Sequence, residues 1–289
     1  MIADWIFIAV AVAGTLFGVI TDLKGRWIPD WISYFMIIFG ITGHILISIA
    51  QLSIWPAVYS AAAAGILFGV ASLLYYTGIW GGGDAKLLVG LGALLPVYTP
   101  HVAAPWPWLL TLWLNTLIFG AVFGILGSVF LALKYKEKFL FEFRNLVKKN
   151  KIFIYASPAL FILPAAIFLL GMPLEIFLFS LLIILFPFIY LILKSVENSS
   201  MFKLREPHKL VEGDWIAEDI CVGNYNYKPA KTGIEKKDIE KLVELEKQGK
   251  LKQIKIKEGL PYIPAILAGL IISIFYGDIM FSLVMGFLV

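Results

Sequence analysis

The chain has 289 residues, 60% of them hydrophobic, with a mean hydropathy of +0.86, which excludes an ordinary soluble globule. Its one cysteine, Cys221, excludes an internal disulfide and any cysteine-based zinc site. The formal net charge of +4 matters less than its placement, because all 24 Lys and Arg are confined to a few polar stretches.

Long continuous apolar runs predict membrane helices; a barrel would show alternation instead. Spans are expected at 4–21, 31–54, 56–76, 85–96, 109–133, 153–170, 175–193 and 261–287. Met1 to Ile20 lacks a basic leading region and reads as a retained first span. In span three, Ala61 to Gly65 and then Gly69 read as close helix packing, as do Gly120, Gly124 and Gly127 in span five. Span four is short. Only eleven residues separate Asp84 from Pro96, about 16 Å of helix, against a hydrocarbon core of about 30 Å. Either Pro96 only kinks this helix or the glycine run before it dips into the membrane. Both options put Asp84 inside the bundle.

The fold class is therefore an all-α polytopic membrane protein of about eight transmembrane helices, with a small α+β cytoplasmic insertion domain. The expected organisation is a transmembrane core at 1–133, a basic cytoplasmic loop at 134–152 and an additional hairpin at 153–193. A small α+β domain at 194–260 and a C-terminal transmembrane helix at 261–289 follow. With the N-terminus outside, the inner segments are 22–30, 77–84, 134–152 and 194–260. Lys24, Arg26 and Lys86 lie in or beside the first two, and seven cations lie in 134–151 and fourteen in 194–257. The outer segments 97–108 and 171–174 carry none. This bias predicts a multi-pass plasma-membrane protein whose polar segments face the cytoplasm. Eight of the nine tryptophans fall near predicted span ends, and only Trp215 falls in the polar domain.

Within 194–260, Thr232-Gly233-Ile234-Glu235 is a capping-box pattern. A helix should follow, with Ile239, Leu242 and Val243 on one face and a stop near Gly249. Gln253 to Lys257 alternates like a half-buried strand, and Trp215-Ile216 and Ile220-Cys221-Val222 suggest a strand pair.

Two carboxylates mark the ends of apolar spans. Asp22 closes the first, in Thr21-Asp22-Leu23-Lys24-Gly25-Arg26, and Asp84 follows the glycine run Gly81-Gly82-Gly83. A carboxylate at a membrane boundary is costly and points to function. Two of them brought together share a proton. The ionised one can deprotonate a water while the other donates to a carbonyl oxygen. The glycines remove side chains, so a substrate backbone can approach Asp84. His44, in mid-span, reads as a packed, hydrogen-bonded histidine.

On these residues the chain resembles the GxGD family of intramembrane aspartyl proteases, in its type IV prepilin peptidase and archaeal preflagellin peptidase branch. The resemblance rests on Asp22 before a basic loop, on Gly81-Gly82-Gly83-Asp84-Ala85-Lys86 and on one helical hairpin between the two motifs. It implies an aspartic endopeptidase with Asp22 and Asp84 as the catalytic pair. Its substrates would be prepilin-like or preflagellin precursors, cut at the cytoplasmic membrane boundary between a basic leader and an apolar helix. Thr21, where the presenilin branch has tyrosine, argues against that branch. Without a cysteine-rich domain or a cofactor signature, the expectation is cleavage without N-methylation, no metal, no cofactor and no nucleic-acid partner. Lys24, Arg26 and Lys86 are candidates for tuning the aspartates. Asp30, Glu212, Asp214, Glu218 and Asp219 are candidates for binding a basic leader. Two rival readings use the same features: an ion- or proton-coupled transporter, against which no internal repeat is found, and an assembly scaffold for a pilus or secretion machine.

Overall fold

The computed structural model describes residues 2–98, 104–151, 161–171, 174–223 and 225–288. His101 and residues 153–160 of the expected span at 153–170 lie outside the described residues. The helices are α1 (Ile2–Gly25), α2 (Asp30–Ala50), α3 (Trp55–Tyr76), α4 (Gly82–Leu94), α5 (Trp108–Lys134), α6 (Lys136–Lys149), α7 (Ile162–Leu169), α8 (Leu174–Val196), α9 (Lys236–Lys247), α10 (Ile263–Phe275) and α11 (Ile279–Leu288). The strands are β1 (Phe202–Arg205), β2 (Trp215–Ile216), β3 (Ile220–Val222), β4 (Tyr225–Tyr227) and β5 (Ile254–Lys257). Where about eight spans were expected, four described helices are long and apolar enough to cross a bilayer: Asp4–Gly25, Asp30–Ala50, Trp55–Tyr76 and Trp108–Lys134.

The chain packs as two units, one of 1–125, 205–254 and 259–289, the other of 126–204 and 255–258. In the first, α4 is the central helix. Nine of its thirteen residues are buried, and Leu87, Leu88 and Leu91 are fully so. A helix apolar on every side is stable only when protein surrounds it. Glycines bring its neighbours close. A Cβ on Gly40 of α2 would sit 2.5 Å from the Ala93 backbone, and one on Gly92 would sit 2.8 Å from Leu67 of α3. Ser60 Oγ donates to Ala93 O at 2.7 Å across the same contact. Of the glycines expected to pack α3 and α5, Gly120 does, a Cβ there standing 2.7 Å from Tyr262, and three others behave differently. A Cβ at Gly65, Gly69 or Gly124 would meet nothing within 4 Å, and in α3 the buried small residues are Ser60, Ala63, Ala64 and Ala71. α4 ends at Leu95, immediately before Pro96, whose ring disfavours helical backbone in the residue before it. The proline ends the helix, so the short span is a thirteen-residue helix of about 20 Å.

The last span, expected to be continuous over 261–287, is broken. α10 stops at Phe275, Gly277 turns at φ 116°, and α11 starts at Ile279. The fully buried Asp278 caps the second piece: its Oδ1 accepts from Phe281 N, and its Oδ2 from Trp106 Nε1 and Thr111 Oγ1, each at 2.8 Å. Asn115 Nδ2 donates to Gly277 O at 2.7 Å, so the break is satisfied internally, as a membrane interior requires.

The polar part of this unit follows the sequence reading in part. α9 forms with Leu242 fully buried, and Gly249 closes it at φ 69°. Its N-cap is Glu235, not Thr232, because Gly233 at φ 88° turns the chain first. β5, which lies mostly in the second unit, alternates buried and half-buried residues as expected. β3 does not pair with β2. It forms an antiparallel hairpin with β4, Ile220 opposite Tyr227.

In the second unit α6 buries no residue. A five-residue π turn at Glu197–Met201 follows α8, and Glu197 Oε1 lies 2.9 Å from Lys194 Nζ and 3.1 Å from Lys257 Nζ.

Candidate active site

Asp22 lies in the last turns of α1. The helix ends because Arg26 takes a left-handed conformation, φ 59°, and its N–H returns to Asp22 O at 2.9 Å. The Asp22 side chain points inward and is 8% exposed. Its Oδ2 accepts a long hydrogen bond, 3.4 Å, from the Ile263 N–H in the first turn of α10. That donor is one of the orphan amides every helix N-terminus leaves. Arg26 is within electrostatic range of Asp22.

Asp84 sits in the first turn of α4. Gly81 is the N-cap with extended backbone, and Asp84 Oδ2 reaches back to accept the Gly81 N–H at 3.2 Å, half of a capping box. The glycines before it are packed against the fold. A Cβ on Gly83 would lie 3.1 Å from Ile28, one on Gly82 3.5 Å from the Tyr75 ring, and one on Gly81 3.3 Å from Asp84 Oδ2. The run therefore has a structural duty besides leaving Asp84 approachable.

The two carboxylates, carried on separate helices, are close enough for the charge of Asp22 to act on Asp84. The turn before α10 is in range of both. Tyr262 is within electrostatic range of Asp84, and its backbone, with that of Ile263, faces Asp22. The Tyr262 ring packs 5.1 Å from Trp80, which packs 5.4 Å from Trp113. Two buried acids, a backbone donor and an aromatic wall are thus gathered around the start of α10.

The other candidates fall into groups. Lys86 Nζ lies 2.7 Å from Asp30 Oδ1, and Glu212 is within electrostatic range of Lys86, so these three gather beside the first turn of α4. Asp214 is held by Arg205 Nη1 at 3.1 Å and by the Val211 N–H at 2.8 Å, which closes the loop it sits in. Lys24, Glu218 and Asp219 are exposed. The polar region touches the glycine loop at another point: Tyr75 donates its hydroxyl to Thr232 O at 3.5 Å, and Gly78 lies against the Lys231 backbone. His44 Nδ1 lies 2.8 Å from Gly40 O and its ring stacks on Phe7 at 4.4 Å, a packed histidine. Among the described residues no cluster of three or more His, Cys, Asp or Glu is disposed to hold a metal.

Sequence reasoning missed Trp80, Tyr262 and Ile263. Pro264 sits in the first turn of α10. A proline in the first turn of a helix marks free backbone N–H groups, and that was the available signal.

Residues 8–125 match the model of the type IV leader peptidase family. The chain is 33% identical over 96 residues to the preflagellin peptidase of Methanocaldococcus jannaschii, covering 33% of this chain and 41% of that one. It is 35% identical over 85 residues to the preflagellin peptidase of Methanococcus maripaludis, 29% of this chain and 36% of that one. With the preflagellin peptidase of Methanococcus voltae it shares 30% identity over 132 residues, 44% and 56% of the two chains. The chain thus spans about half the length, or less, of the curated relatives it matches. Over 8–125 the family resemblance carried by the two aspartate motifs is met, and both aspartates lie inside that segment.

Proposed function

We propose that this chain, a type IV leader peptidase over residues 8–125, is a membrane aspartyl endopeptidase that removes basic leaders from preflagellin-like or prepilin-like precursors. The observation that supports the reading is that Asp22 and Asp84, on two helices, are within electrostatic range of each other near the start of α10. The ionised carboxylate takes a proton from water, and the resulting hydroxide attacks the scissile carbonyl carbon. The protonated carboxyl gives its proton to the carbonyl oxygen. The carboxyl that took the water's proton then gives it to the leaving nitrogen as the C–N bond of the tetrahedral diol breaks, the other carboxylate takes the proton of one diol hydroxyl, and no covalent bond to the enzyme forms. The site lies at the cytoplasmic side, with the N-terminus outside and the cation-rich segments inside. The new N-terminus leaves unmethylated.

Membranes containing the wild type, Asp22→Asn or Asp84→Asn are incubated with a tagged precursor. The wild type shortens it, each substitution abolishes the shortening, and the mass of the product shows an unmodified N-terminus. Cleavage that survives either substitution sinks the aspartate pair and returns the transporter and scaffold readings. A methylated product overturns only the last claim.

A further inference from the structure

The two acids come from α1 and α4, and neither helix fixes the other's carboxylate. One element faces both. The turn at Tyr262–Ile263 gives the Ile263 N–H to Asp22 and packs the Tyr262 ring against Trp80 and on the cluster that holds Ala85, the residue after Asp84. The element behind the turn is rigid. A Cβ on Gly269 of α10 would lie 2.8 Å from the Thr116 backbone of α5, so these helices are in near contact. Ile263, Ile266 and Leu270 are fully buried, and the far end of α10 is held by the capped break at Asp278. Gly120 of α5 makes room for the ring: a Cβ there would stand 2.7 Å from Tyr262. Tyr262 also donates its hydroxyl to Thr116 O at 3.4 Å, a long bond that contributes little.

We propose that the Tyr262–Ile263 turn is a positioning element of the aspartate pair, setting the orientation of Asp22 through the Ile263 amide and the placement of the first turn of α4, which carries Asp84, through the Tyr262 ring. The inference rests on the peptidase reading and deepens it. It also extends the site beyond the segment that matches the leader peptidases, since Tyr262 lies well past residue 125. A group that sets geometry acts on the rate of the bound complex rather than on binding, and misplacement on the scale of an ångström costs about a hundredfold at most positions of this kind.

The test is a double-mutant cycle in the full chain, reconstituted in membranes, with a tagged precursor as probe. Tyr262→Phe keeps the ring and removes only the long bond to Thr116 O, so kcat falls much less than in Tyr262→Ala. Tyr262→Ala lowers kcat about tenfold or more with KM changed less than about twofold. Gly120→Ala, which pushes a methyl into the ring, lowers kcat in the wild-type background and has little further effect in the Tyr262→Ala background. Tyr262→Leu replaces Tyr262→Ala if the latter does not fold, as judged by its melting temperature. Additive effects of the two substitutions, or a change confined to KM, overturn the inference while Asp22→Asn and Asp84→Asn remain inactive and the peptidase stands. A wild type that cleaves no precursor overturns both.

Discussion

Lys86 Nζ and Asp30 Oδ1 are 2.7 Å apart, so the cation two residues after Asp84 is directed to α2 and not to the aspartate pair. The side chains are 38% and 57% exposed, and an ion pair at such exposure contributes ~0.2–1 kcal/mol. A double-mutant cycle of Lys86→Gln and Asp30→Asn on thermal unfolding should give a coupling in that range, reduced by salt. Cleavage by Lys86→Gln should fall far less than the ~100-fold or greater loss expected when a proton-transferring group is removed. A loss as large as that of Asp84→Asn would make Lys86 part of the chemistry.

The glycine run separates fold from approach. A methyl at Gly82 would meet the Tyr75 ring at 3.5 Å, an ordinary contact, whereas one at Gly83 would press on Ile28 at 3.1 Å. Gly83→Ala therefore damages a scaffold as well as a protease and does not discriminate between them. Gly82→Ala should leave the melting temperature within a degree or two, a change of about 0.5 kcal/mol or less. If it nevertheless raises KM or lowers kcat, the lost space was used by substrate. If cleavage is unchanged, the open approach to Asp84 is not over Gly82.

The aspartates, the short fourth helix and the alternating strand at β5 were legible because each is local. A costly acid at a span end, a proline twelve residues further on and a period of two are properties of neighbours in sequence. Tyr262 and Trp80 were not legible, because their meaning comes from a contact across 182 positions that no local pattern encodes. The break at Gly277–Asp278 was hidden for a different reason. Hydropathy counts apolar residues, and one acid in an apolar run leaves the sum high, while the donors that make it tolerable, Trp106 and Thr111, lie far away in sequence. Gly65 and Gly69 show the converse error: small residues at helical spacing look like a contact face, yet a Cβ on either would meet open space.

Arg26 ends α1 at φ 59°, in the region where a residue with a Cβ loses ~1–2 kcal/mol. Arg26→Gly should remove that strain and raise stability by up to about 1 kcal/mol, read as a higher melting temperature, while Arg26→Ala keeps it. Both remove the cation within range of Asp22. If the charge tunes the acid, the two variants lose activity equally and Arg26→Lys retains most of it. If only the backbone matters, Arg26→Gly is fully active and the charge is a matter of topology alone.

Asp278 is 0% exposed, and its carboxylate serves three donors at once: Trp106 Nε1, Thr111 Oγ1 and the Phe281 N–H. Asp278→Ala leaves all three without that acceptor, and each buried donor so orphaned costs ~1–3 kcal/mol. The loss should be a few kcal/mol in thermal unfolding of the detergent-solubilised chain. Asp278→Asn keeps an acceptor for the Phe281 N–H but turns an amide toward Trp106 and Thr111, so an intermediate loss is expected. Because α10 joins this cap to the turn at Ile263, loosening the cap should also lower cleavage at temperatures where the variant is still folded. Full activity of a folded Asp278→Ala would show that the break is independent of the site, and that the buried contacts along α10 alone hold the turn against Asp22.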